Sequence, residues 1–156
     1  MFHQAHFIYI KSKRGGRLRS AESHDAKPPA RSVPCVLCID DNKDVLAVLV
    51  DVLQNSGYGT LIAASGIEGL RLLRSRAVHV VVVDYEMPEM NGDLVAQAIR
   101  RLKPGMPIIL FTGVPDNVPD RVRQNVNSVV HKADFSGLLG ALKNLSEESA
   151  TKRNPT

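Results

Sequence analysis

The chain has no tryptophan, and its aromatic residues make up only 4% of 156 positions. A surface that stacks successive bases of single-stranded nucleic acid needs aromatic rings, so that class is disfavoured. Two cysteines are too few for a disulfide scaffold. No apolar run approaches the roughly 20 residues that span a bilayer, which excludes an integral helical membrane protein. What remains is an ordinary globular composition, 44% hydrophobic and 23% charged, long enough for one domain and too short for two full ones.

The formal charge of +4 is unevenly placed. Residues 1–33 carry seven basic and two acidic side chains, whereas residues 34–156 carry 13 basic and 14 acidic ones. The folded part therefore has no global basic character, and nucleic-acid binding is not expected of it. Residues 1–33 also lack any sustained helical or strand period and contain Gly15-Gly16 and Pro28-Pro29. That composition predicts a disordered basic tail. Residues 147–156 read as a second, polar tail, leaving 34–146 as the domain.

Within the domain, apolar runs alternate with helical stripes. Residues 36–39 form a short run ending at Asp40-Asp41, followed by a stripe at Val45, Leu46, Leu49, Val52 and Leu53 that stops at Gly57. Residues 60–63 form a second run. Ser65-Gly66-Ile67-Glu68 fits a capping box opening a second helix. The β-branched run at 78–83 ends at Asp84, and a helix is expected over 93–102. Residues 107–111 end at Thr112, a short helix is expected over 120–125, and residues 128–131 end at Lys132. A last helix is expected over 135–145. Strands apolar on both faces belong to a parallel sheet covered on both sides. The expectation is an α/β, doubly wound, five-stranded parallel sheet of flavodoxin-like order 2-1-3-4-5, with helices on both faces.

Ligands of such sheets bind beyond the carboxyl ends of the strands. Strand one delivers Asp40 and Asp41, strand three Asp84, strand four Thr112 and strand five Lys132. Like charges about 4 Å apart repel by about 4 kcal/mol at an effective dielectric of 20. Three converging carboxylates therefore need raised pKa values or a cation. An all-oxygen site suits Mg²⁺, which accepts a few carboxylates and keeps positions open for water and phosphate oxygens. A carboxylate nucleophile, a metal, an ammonium and a hydroxyl together suit phosphoryl transfer. Taken singly, each residue has a plainer reading. Asp41 could cap the first helix, Thr112 could serve a turn, and Lys132 could be a solvated strand end. Cys35 and Cys38 have C-x-x-C spacing but fall on opposite faces of one strand, which favours packing over redox or metal chemistry.

Residues 35–146 resemble the receiver domain of two-component response regulators. The resemblance rests on Val36-Leu37-Cys38-Ile39-Asp40-Asp41-Asn42, on Asp84-Tyr85-Glu86-Met87-Pro88-Glu89-Met90-Asn91-Gly92, on Phe111-Thr112-Gly113 and on Lys132. It implies that Asp84 accepts phosphate from a sensor histidine kinase or a histidine phosphotransfer protein. It implies that Asp40, Asp41, Asp84 and the Glu86 carbonyl hold Mg²⁺, and that Lys132 and Thr112 contact the phosphoryl group. It further implies a cytoplasmic protein that is not an enzyme in the ordinary sense and acts through an output protein. With only a short polar tail after residue 146, the reading is a stand-alone regulator; self-association as a homodimer is left open. A receiver-like binding module that is never phosphorylated is the alternative. An aspartyl-phosphate phosphatase would want a second Asp where Glu86 stands.

Three departures from the family pattern bear on the outcome. Ala133 stands where Pro normally follows the lysine and a cis bond helps aim the ammonium. Val129 stands where an aromatic switch is usual. Thr112 and Lys132 are only 20 positions apart and enclose Pro115 and Pro119, so the fourth helix must be short or distorted.

Overall fold

Four consecutive valines, Val80–Val83, have no polar face to offer solvent, and the chain buries all four in the middle of a sheet. The structure, a computed structural model, describes residues 33–151, with side chains through 148. The expected basic tail lies, except for Val33, outside the described residues, as do residues 152–156. The strands are β1 (Cys35–Ile39), β2 (Gly59–Ala63), β3 (Val80–Val83), β4 (Ile108–Thr112) and β5 (Ser128–His131), and the helices are α1 (Lys43–Asn55), α2 (Gly66–Ser75), α3 (Gly92–Leu102), α4 (Asp120–Arg123) and α5 (Phe135–Thr151). All strand pairs are parallel, in the order β2-β1-β3-β4-β5. The doubly wound sheet expected from the sequence is the one formed.

Alternation along the strands divides the core in two. Leu37, Ile39, Val81, Val83, Ile108 and Leu110 pack beneath α2, α3 and α4. Val36, Cys38, Val80, Val82, Ile109 and Phe111 pack beneath α1 and α5. Cys35 and Cys38 thus fall on opposite faces as free thiols. Burial pushes the Cys38 thiol up to about 12, with Cys35 and Asp40 adding to the rise, so it is a packing residue and an inert nucleophile.

The helix ends follow from local side chains. Ser65 Oγ accepts the Glu68 N–H at 3.2 Å, and Glu68 Oε2 reaches back to the Ala64 N–H at 2.9 Å, closing the expected capping box one residue early. Asn42, not Asp41, caps α1, its side-chain oxygen accepting the Asp44 and Val45 N–H groups. That leaves the Asp41 carboxylate out of capping. Helix α4 is a single turn, short as expected, with Pro119 as its N-cap. Helix α5 runs through Thr151, beyond the 135–145 stripe and into the polar stretch assigned to a tail. Ser146-Glu147-Glu148 supplies no Gly or Pro to stop it, and adding a residue to an existing helix costs little.

Candidate functional site

Strand register brings distant residues together. Ile39 pairs with Val83, and the Asp84 N–H donates to the Ile39 carbonyl at 2.9 Å, so Asp40 and Asp84 leave adjacent strands at the same level. Thr112 pairs with His131, and the Lys132 N–H donates to the Thr112 carbonyl at 2.9 Å, which sets Lys132 at the same edge. Asp40, Asp41 and Asp84 each offer a carboxylate oxygen within 4.8 Å of the others.

The three carboxylates differ in environment. Asp41 is exposed, whereas Asp40 and Asp84 retain only 1% and 5% of their accessible surface. Their countercharge is Lys132. Its Nζ lies 2.7 Å from Asp40 Oδ2 and 3.1 Å from Asp84 Oδ2. The other Asp40 oxygen accepts the Asn42 N–H at 2.9 Å, so both of its oxygens are engaged. Burial pulls the Lys132 pKa down, but the hydrogen bonds and charges of Asp40 and Asp84 outweigh that and leave it above the ordinary lysine value.

Asp84 goes the other way from a salt-bridged carboxylate. Burial and the neighbouring Asp40 charge raise its pKa more than Lys132 and the Glu86 backbone N–H lower it. The folded state then holds the proton more tightly than the unfolded chain. This contribution to stability is lost as pH rises out of the ordinary carboxylate range and is regained below it. Asp84→Asn removes the penalty. The variant is expected to melt above the wild type at pH 7 in metal-free buffer, with the gap closing toward pH 4. A lower melting temperature for the variant at pH 7 contradicts this account.

The loop after β3 is built tightly around Asp84. A Cβ on Gly92 would lie 2.2 Å from the Asp84 carbonyl oxygen and 2.9 Å from Tyr85 Cα, so only glycine lets α3 start there. The Gly92 N–H donates to the Tyr85 carbonyl at 2.9 Å. Glu89 takes a φ of 64°, and the Met90 N–H donates to the Pro88 carbonyl at 2.6 Å, a three-residue turn of the strained hand. The Glu86 side chain is exposed. Thr112 is fully buried, and its hydroxyl oxygen accepts the Val114 N–H at 3.3 Å.

Of the site residues expected from the sequence, Asp40, Asp41, Asp84, Thr112 and Lys132 are thus brought to one edge, and one feature went unforeseen. The shorter Lys132 contact is to Asp40, not Asp84, because the sequence gives strand ends but not distances across them. The Lys132–Ala133 peptide is trans, since no cis bond occurs among the described residues, and the ammonium still reaches both carboxylates. The donor set of three carboxylates, with no sulfur or imidazole among them, fits a hard divalent cation such as Mg²⁺.

Comparison with known proteins agrees with this geometry. The chain is 36% identical to the transcriptional regulatory protein GlrR of Escherichia coli over 119 residues, covering 74% of this chain but only 27% of that longer protein. It is 35% identical over 89 residues to the transcriptional regulatory protein PrrA of Mycobacterium tuberculosis, covering 57% of this chain and 38% of that one. Among solved structures, the response regulator protein TrrA of Thermotoga maritima, crystallised in complex with Mg²⁺-BeF, superposes with a TM-score of 0.70 at 31% identity, covering 72% of this chain and 99% of that one. The same regulator in complex with the histidine kinase ThkA gives a TM-score of 0.68. The family model for the response regulator receiver domain matches residues 36–142, and the chain belongs to that family.

Proposed function

We propose that this chain is a phosphoacceptor switch in which Asp84 takes a phosphoryl group from a phosphohistidine on a sensor histidine kinase or a histidine phosphotransfer protein. The observation that supports it most is the Lys132 ammonium set between the buried Asp40 and Asp84 carboxylates at the carboxyl edge of the sheet. Mg²⁺-dependent transfer agrees with the carboxylate cluster and with the Mg²⁺-BeF complex of the related TrrA. The kinase as donor agrees with the TrrA–ThkA complex.

Asp40, Asp41, Asp84 and the Glu86 carbonyl would hold the ion. When bound, Mg²⁺ supplies charge neutralisation for the phosphoryl oxygens. An Asp84 carboxylate oxygen attacks phosphorus in line with the breaking N–P bond. The electron pair of that bond stays on the imidazole nitrogen. Lys132 then exchanges its ion pair with Asp84 for one with a phosphoryl oxygen, keeping Asp40 as its second partner. Thr112 leaves the Val114 N–H and donates its own hydroxyl proton to the phosphoryl group. That shift pulls on the turn after β4 and so on α4, the start of a conformational output.

Output runs through protein contacts, and the protein acts in the cytoplasm. Among the described residues, no helix is long and apolar enough to cross a membrane. A fixed binding module that is never phosphorylated is favoured only by Val129, half-buried where an aromatic switch is usual. The two readings separate in one experiment. Acetyl phosphate with Mg²⁺ is expected to retard the wild type on a phosphate-affinity gel. Asp84→Asn, or wild type with EDTA, is expected to run unshifted. A wild type that never shifts supports the fixed module, and a shifted Asp84→Asn moves the acceptor elsewhere.

A further inference from the structure

Ala133 carries a backbone N–H that the proline usual at this position would lack. In this structure that N–H donates to His131 Nδ1 at 3.0 Å. The Asp134 N–H donates to the His131 carbonyl at 2.8 Å, closing a four-residue turn from His131 to Asp134 with Lys132 and Ala133 at its centre. The imidazole thus plays the part that an Asn or Asp side chain plays in an Asx turn, accepting the N–H two residues on. On the other side, His131 pairs in register with Thr112, whose carbonyl takes the Lys132 N–H. Lys132 is therefore the one unbranched reach out of a turn fixed by three hydrogen bonds, and its Nζ arrives between Asp40 and Asp84.

A trans peptide in place of the usual cis-proline turn would by itself leave the lysine with more than one exit direction. We infer that His131 is a positioning residue for Lys132: its Nδ1, by holding the Ala133 N–H, stabilises the trans turn that aims the ammonium at the two carboxylates. The imidazole must be neutral at Nδ1 to accept, with its proton on Nε2. Asp134 does separate work in the same segment, its Oδ1 accepting the Gly137 N–H at 2.8 Å in the first turn of α5. The role of the aim in phosphoryl transfer rests on the function proposed above, whereas the aim itself does not.

The test compares His131→Val, which has no acceptor, with His131→Asn, whose Oδ1 can take the same N–H without an imidazole. His131 is exposed, so neither change disturbs the core. The first readout needs neither metal nor phosphate: relaxation of the Lys132 side-chain carbon Cε by nuclear magnetic resonance in the metal-free protein. Lys132 is expected to be ordered in wild type and His131→Asn and disordered in His131→Val. The second is the initial rate of phosphorylation by acetyl phosphate with Mg²⁺. His131→Val is expected to be roughly 3- to 10-fold slower, the worth of one hydrogen bond, and His131→Asn within about twofold of wild type. A Lys132 as ordered in His131→Val as in wild type overturns the inference, as does His131→Asn failing as badly as His131→Val. If wild type takes no phosphate at all, the phosphoacceptor reading fails, and the relaxation measurement alone still decides the role of His131.

Discussion

Lys132→Ala is expected to lower stability at pH 7 by about 2–4 kcal/mol and to slow phosphorylation by about 10²–10³-fold. The reasoning starts from two carboxylates that burial has removed from water and that lie close enough to share one ammonium. Removing one partner of a buried ion pair typically costs about 3–5 kcal/mol, because the remaining charge has neither water nor a counterion. Lys132 keeps 25% of its side-chain surface, so solvent screens part of that, hence the lower figure. The pH dependence carries the signature. The folded pKa of Lys132 is raised, so its stabilisation is present below the ordinary lysine value and lost as pH rises through the higher folded one. At the acid end the benefit fades as Asp84, whose pKa is raised, takes up a proton. Urea unfolding in metal-free buffer should show the largest gap between variant and wild type near neutrality and a narrowing gap toward pH 4. A gap that stays constant across that range points to lost packing and not to lost charge.

Gly92→Ala is the second large effect. The added methyl would meet the Asp84 carbonyl oxygen at 2.2 Å and the Asp84 carbonyl carbon at 3.0 Å. Both are backbone atoms, with no side-chain torsion to relieve the overlap. Either α3 moves out or the end of β3 moves, and the second displaces Asp84. The expected cost is about 1–3 kcal/mol, several degrees in melting temperature, together with slower phosphorylation by acetyl phosphate. Gly140→Ala is the control of opposite sign. It lies inside α5 with open space where its Cβ would go, so it should stabilise by about 0.5–1 kcal/mol through helix propensity alone. Equal melting temperatures for Gly92→Ala and wild type would show that the loop yields without resistance.

The sheet was legible because apolar runs of four to five residues, each ending in a polar residue, leave little choice of strand. Asp40, Asp84, Thr112 and Lys132 could be placed at one edge from sequence alone, since parallel strands with right-handed connections put every carboxyl end on the same side. What sequence order does not encode is reach. Whether Lys132 lies nearer Asp40 or Asp84 depends on strand twist and on the turn after β5. Asn42 took the cap that Asp41 could have taken because one residue of offset decides which side chain faces the open N–H groups of α1. The positive φ of Glu89 had no glycine to signal it. The extension of α5 was missed because the apolar stripe ended before the helix did.

The far end of the sheet is held by a different chemistry. From α3, the Arg100 guanidinium donates to the carbonyls of Asn125, Pro104 and Met106 and to Asn127 Oδ1. Asn127 Oδ1 in turn accepts the Ile108 N–H at 2.9 Å, so the chain entering β4 and the chain entering β5 are clasped together. Those acceptors are all uncharged oxygens, whereas Lys132 at the opposite edge depends on carboxylates. The molecule therefore has one edge whose closure answers to acid, through carboxylates that can take up protons, and an opposite edge clasped by acceptors that cannot titrate.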